Sequence, residues 1–212
     1  MENQRGIERL IFFTDAVVAI AITLLILPLV EIVTTDANKS PQPPLSDFLS
    51  DNLSQFFAFA LSFVIIARFW IANHEILLNT KRSTPLLMWL DIAWVFTIVI
   101  LPLPTEITAA YEASRLTTLI YIGSATISTL LLTAMAYYLH RHPELQAKDA
   151  PISTVAVFGI GSTAVAFILA FAVSAIFPGV HYYSLFILLL TFPLDLLVKP
   201  RLRRREKTRA PK

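Results

Sequence analysis

Six long runs of predominantly apolar residues most limit what this chain can fold into. They cover residues 9–31, 51–78, 84–106, 115–140, 152–177 and 181–199. Each is long enough for a helix that crosses a hydrocarbon core of about 30 Å, which takes about 20 residues. Helices satisfy their backbone polar groups internally, as lipid requires. The sequence therefore predicts an all-α integral membrane protein with six transmembrane helices per subunit.

Composition supports this class and argues against an enzyme. The chain is 56% hydrophobic and 15% charged, whereas soluble domains are about a quarter charged. It contains no cysteine, which excludes disulfides, thiolate metal sites and a cysteine nucleophile. It also contains neither an H-E-x-x-H motif nor a serine nucleophile elbow. We expect no enzymatic activity, no structural metal and no cofactor.

The distribution of basic residues predicts the orientation in the membrane. With the N-terminus inside, the cytoplasmic side collects most of them: Arg5, Arg9, Lys81, Arg82, Arg141, Lys148 and the tail. The opposite side keeps Lys39 and Arg115. This positive-inside pattern predicts that both termini are cytoplasmic.

The chain divides into a six-helix transmembrane domain, residues 1–200, and a basic cytoplasmic tail, residues 201–212. A basic segment beside a membrane binds anionic lipid headgroups with about 1 kcal/mol per residue. We expect this role for the tail rather than nucleic-acid binding.

The first run carries a stripe that ends in an acid. One helix face is shared by Ile20, Thr23, Leu24, Leu27 and Glu31. Aliphatic residues in a spanning helix usually face lipid or other helices, and periodicity alone favours that reading. Glu31 lies at the predicted outer membrane edge.

Polar residues in the first two runs lie at a common predicted depth. An ionisable group within a span costs at least about 2.5 kcal/mol unless it is paired. Asp15 is too short to reach the membrane surface and needs a partner. The candidates for an inter-helix network are Arg9 and Asp15 in the first run, and Arg68, Trp70, Asn73 and His74 in the second. Such a network is either a polar packing cluster, or a proton relay or hinge.

Several short motifs resemble a known family. Arg9, Phe13, Thr14 and Asp15 fit R-x-x-x-F-S-D with Thr in place of Ser. An A-I-x-x-T-L-L run starts at Ala19, an aromatic-Trp pair with a later His occupies residues 69–74, and "LPLPTE" occupies residues 101–106. These patterns resemble the lysosomal potassium channel family called transmembrane protein 175, especially its bacterial and archaeal relatives. Where relatives commonly have His three residues after the Trp, this chain has Asn73.

The resemblance implies a potassium-permeable cation channel in a prokaryotic plasma membrane. It implies a homotetramer in which four first helices line a central pore, without a re-entrant selectivity filter. On this chain, Ile20 would form the narrowest ring, with further hydrophobic rings at Leu24 and Leu27. Permeant K⁺ would pass near Ile20 and the Thr23 hydroxyl, and Glu31 would lie at the outer mouth.

The resemblance also implies that a polar network holds the pore helix against the second span. Its members would be Arg9, Phe13, Thr14, Asp15, Arg68, Trp70, Asn73 and His74. The main alternative is a proton-coupled secondary transporter or a proton-conducting membrane protein, because Asp15 and His74 could exchange protons. No evident repeat relates the first three spans to the last three, which argues against the usual transporter architecture.

Overall fold

The computed structural model describes residues 2–40, 44–112, 114–147, 152–177, 179–180, 183–185 and 187, with side chains from residue 5 onward. Its α-helices are α1 Glu2–Leu24, α2 Leu27–Ala37, α3 Leu45–Asp51, α4 Leu53–Leu78, α5 Pro85–Ile100, α6 Pro102–Ala110, α7 Arg115–Arg141 and α8 Thr154–Ile176. Within the described ranges the fold is helical apart from one isolated bridge between Thr80 and Gln146. The all-α prediction is confirmed.

Five stretches of the described chain are long and apolar enough to cross a membrane. They are Arg5–Ala37, Leu53–Leu78, Pro85–Ala110, Arg115–Arg141 and Thr154–Ile176. They correspond to the first five predicted spans. The sixth predicted span, residues 181–199, lies outside the described residues except for residues 183–185 and 187, and the tail 201–212 lies wholly outside them.

The first span is longer than predicted and is broken near its middle. Pro28 has no N–H, so the carbonyl of Leu24 loses its helical partner. The backbone tightens there, because Leu25 N donates to Ile22 O at 3.3 Å and Ile26 N donates to Thr23 O at 3.4 Å. The span therefore runs as α1 and then α2, which corrects the single helix predicted for residues 9–31.

The third span is divided in the same way. α5 begins after Thr84, whose Oγ1 accepts a hydrogen bond from Leu87 N at 3.2 Å, with Pro85 in the first turn as N-terminal geometry favours. It ends at Ile100, and α6 begins at Pro102. Proline is tolerated in the first turn of a helix, so the "LPLP" segment starts a new helix.

The core lies around α7. This helix packs against α4, α5, α6 and α8, and α5 packs in turn against α1. Trp94 and Ile98 of α5 are fully buried, as are Ile76 of α4 and Met135 of α7. α1 contacts the bundle mainly through α4 and α5, and also touches α6. One face of the first helix is therefore held in the core and the other is left uncovered.

Candidate functional site on the first helix

The uncovered face of α1 and α2 carries the predicted stripe. Ile20 is 59% exposed and Leu27 is 56% exposed, and Thr23, Leu24 and Glu31 are also exposed. The Thr23 hydroxyl donates to the carbonyl of Ile20 at 2.8 Å, which leaves its lone pairs available to a ligand. The break at residues 25–26 places Leu27 and Glu31 on α2, whereas the rest of the stripe lies on α1.

The opposite face of α1 is buried in the bundle. It consists of Ile7, Leu10, Ile11, Thr14, Val18 and Ala21, and Leu25 continues it just beyond the end of the helix. These positions recur at helical spacing, so they form one continuous contact surface against α4 and α5. Within a single subunit, the stripe consequently has no covering element among the described residues.

Asp15 joins α1 to α4 at the edge of this buried face. Trp70 Nε1 donates to Asp15 Oδ1 at 2.7 Å, and His74 Nδ1 lies 3.3 Å from the same oxygen. The Trp70 and His74 rings, one helical turn apart, have centroids 5.4 Å apart. The side chains of Asp15 and His74 are 30% and 31% exposed. The pair is therefore open to solvent or to a neighbouring molecule.

A second carboxylate, Asp91 of α5, lies deeper in the bundle. The Thr14 hydroxyl donates to Asp91 Oδ2 at 2.7 Å, and Asn73 Nδ2 donates to Asp91 Oδ1 at 2.8 Å. All three side chains are buried. Asp91 therefore fastens α1, α4 and α5 to one another at a single point.

Sequence reasoning missed Asp91. The signal was present in "MWLDIAWV", residues 88–95, where one acid interrupts an apolar run. The rule that marked Asp15, that an acid inside a span needs partners, applies equally to Asp91. Thr14 directly precedes Asp15 in sequence and Asn73 directly precedes His74, but both side chains donate to Asp91.

The structure does not bring Arg9, Phe13 or Arg68 into this network. All three are exposed, and neither arginine makes an ion pair with the described residues. At about 100° per residue, Arg68 is about 160° around α4 from Trp70. Arg9 lies about three turns before Ile20, on the same exposed side of α1.

A hydroxyl cluster ties α6 to its neighbours. Ser62 Oγ lies 2.9 Å from Thr105 Oγ1 and 3.0 Å from the Tyr121 hydroxyl. Ser62 and Thr105 are buried, and Thr105 belongs to the "LPLPTE" segment. The cluster joins α4, α6 and α7, so that segment serves helix packing in this subunit.

Comparison with known proteins connects these features to a family. The family model described as the endosomal/lysosomal potassium channel TMEM175 matches residues 9–102. A protein named as a potassium channel in Streptomyces collinus is 29% identical over 169 residues, covering 76% of this chain and 78% of the relative. One in a Chryseobacterium species, also named as a potassium channel, is 28% identical over 98 residues, or 46% of each chain. The matched segment contains the stripe and both aspartates.

Proposed function

We propose that this chain is a relative of the bacterial members of the TMEM175 family and a potassium channel with a central pore. Four subunits would surround the pore, and the first helix of each would line it. The observation that carries this proposal is the division of α1 into two faces. One face is buried and fastened by Asp15 and Asp91, and the other presents an uncovered stripe.

The filled interior of the subunit favours a pore on a symmetry axis between subunits. The centre of the described bundle is filled by large buried side chains such as Trp94, Ile98, Ile122 and Met135, which favours an ion path outside it. A closed ring of identical subunits brings one uncovered face from each copy to a common axis. The exposed stripe of α1 and α2 is the face we assign to that axis.

Each residue of the stripe would have a separate role in conduction. A ring of Ile20 side chains excludes water and closes the pore by dewetting, and a small separation of the helices would open it. Leu24 and Leu27 extend the apolar wall. The Thr23 hydroxyls offer oxygen ligands to a partly dehydrated K⁺, which would be the sole ion or cofactor bound. Glu31 would concentrate cations at the mouth.

Orientation follows from the charges. We place the chain in a prokaryotic plasma membrane with both termini in the cytoplasm, because the basic residues gather on that side. The tail, residues 201–212, would bind anionic headgroups. Glu31 then lies at the extracellular mouth of the pore.

The test of function is recording from the purified protein in planar bilayers under a bi-ionic gradient of K⁺ and Na⁺. We expect discrete single-channel steps and a reversal potential that favours K⁺ moderately. Hydroxyls and apolar rings provide fewer fixed dipoles than a cage of carbonyls, so strong selectivity is not expected. A reversal potential near zero would remove the potassium preference.

A proton-coupled transporter is the second candidate, and the contact between Asp15 and His74 is the observation that favours it. The two groups lie 3.3 Å apart and are partly exposed, so they could exchange a proton with permeating solvent. A carrier gives slow flux that saturates with substrate concentration. Single-channel current steps in the same bilayers would exclude this mechanism.

Replacing Asp15 by Ala should change gating or folding more than ion selectivity. The substitution removes the acceptor of the Trp70 N–H and loosens α1 from α4, whereas the stripe residues stay unchanged. We expect an altered open probability with an unchanged reversal potential. Asp15→Asn is the matched control because its amide oxygen still accepts from Trp70. A large shift in reversal potential with Asp15→Ala would place Asp15 in the ion path.

A further inference from the structure

A second uncovered surface runs along α4. It consists of Phe57, Val64, Arg68, Ile71 and Glu75, here called the α4 strip. These positions follow helical spacing and share one side of the helix. Most of the strip is apolar, which lipid could cover, but Arg68 lies in its middle. Lipid covers the charged side chain of Arg68 much less favourably than the apolar residues around it.

Arg68 lies deep within its span. It is about 15 Å from the Leu78 end of α4 and about 22 Å from the Leu53 end, at 1.5 Å per residue. Helical side chains lean towards the N-terminus, so Arg68 leans away from the nearer end. Bending back to a headgroup layer, as arginines near helix ends do, is therefore unfavourable here. Facing lipid at this depth is costly for a guanidinium group.

The described part of the subunit gives Arg68 no partner. The contacts between basic and acidic side chains among those residues are Lys39 with Asp36 and His74 with Asp15, and neither includes Arg68. Arg68 is on the side of α4 away from Trp70 and thus away from α1. Neither Asp15 nor the pore stripe of the same subunit is within its reach.

One edge of the α4 strip lies next to the contact between α4 and α1. His74, which is 3.3 Å from Asp15 of α1, is three residues and thus about 60° around α4 from Ile71 of the strip. In the proposed ring of four subunits, a neighbouring subunit that packs beside α1 would also lie beside this strip. We infer that a neighbouring copy of this chain covers the α4 strip and supplies oxygen acceptors to Arg68. This inference rests on the proposed ring of four subunits.

Accessibility measurements on the assembled channel test the inference. The chain contains no cysteine, so Val64→Cys and Ile71→Cys each carry one spin label without background. Val165→Cys on α8 is the matched control, because Val165 is 55% exposed and Val64 is 57% exposed. We expect the α4 labels in liposomes to be shielded from both oxygen and a water-soluble nickel chelate. The Val165 label should be accessible to oxygen.

Each other accessibility result overturns the inference. Oxygen access at residues 64 and 71 equal to that at residue 165 would show that lipid covers the strip. Access by the nickel chelate would show that the strip faces water. These labels leave Arg68 in place, so the result does not depend on whether an Arg68 variant folds.

The oligomeric mass gives a second readout. Arg68→Leu should raise the dissociation constant of the assembly at least about tenfold, because it leaves the neighbour's acceptors without a donor, and Arg68→Lys should restore most of the loss. Unchanged or tighter assembly with Arg68→Leu would contradict the inference. If the wild-type chain itself is monomeric, the proposed pore fails as well. A wild-type tetramer whose α4 strip faces lipid removes only the inference about Arg68.

Discussion

Replacing Ile20 by Asn should raise the resting leak conductance of the channel about tenfold or more. A ring of four amides attracts water where four Ile side chains exclude it, so the dry barrier is lost. A barrier lower by about 1.4 kcal/mol raises a rate about tenfold. Potassium currents through reconstituted channels, recorded without a stimulus, measure the effect. The same variant should conduct with weaker discrimination between cations.

Two controls separate this effect from general damage. Ile20→Val keeps the ring apolar, so its leak should stay close to that of the wild type. Ile127→Asn places the same amide on α7, where Ile127 is 54% exposed and Ile20 is 59% exposed, but away from the proposed pore. If Ile20→Asn left the conductance unchanged, the constriction would lie elsewhere.

Replacing Asp91 by Ala should destabilise the subunit strongly. Thr14 and Asn73 donate to this carboxylate from two other helices, and all three side chains are buried. A buried donor left without an acceptor costs about 1–3 kcal/mol, so we expect a total loss on the order of 3 kcal/mol. Unfolding in mixed detergent, followed by loss of helical signal or by loss of the assembled form, measures it.

Conservative replacement shows which property of Asp91 matters. Asp91→Asn keeps an oxygen for Asn73 and places an amide near the Thr14 hydroxyl, so much of the stability should remain. Asp47→Ala on α3 removes an exposed carboxylate and should change stability by less than about 0.5 kcal/mol. Asp91→Ala behaving like Asp47→Ala would mean that the three-helix junction does not hold α1 in place.

The stripe on the first helix and the contacts of Asp15 with Trp70 and His74 show what the spacing of residues can predict. Helical spacing places Ile20, Thr23 and Leu27 on one face, and the structure leaves that face uncovered. Spacing also grouped Trp70 with His74, which the structure brings to the same oxygen of Asp15. These are relations within one helix or at one membrane depth. Predicting such relations requires only helix geometry and the hydrophobicity of the span.

Other relations depended on how the helices are rotated against each other. Arg9 and Arg68 share a predicted depth with Asp15, yet both face out of the bundle. Depth is set by the position of a residue along its span, but direction is set by the packing of large side chains such as Trp94 and Ile98. Asp91 is the converse case. Its partners Thr14 and Asn73 lie on α1 and α4, and only the packing of these helices brings them to Asp91 of α5.

The membrane class and the helical fold can be predicted from the residues alone, because burial in lipid imposes length and hydrophobicity on each span separately. The break in the first span is equally local, since it follows from the missing N–H of Pro28. Packing between the helices sets which face of each helix is covered and which partners each acid has. Those outcomes depend on contacts between residues distant in sequence, such as Thr14 with Asp91, and no local pattern specifies them.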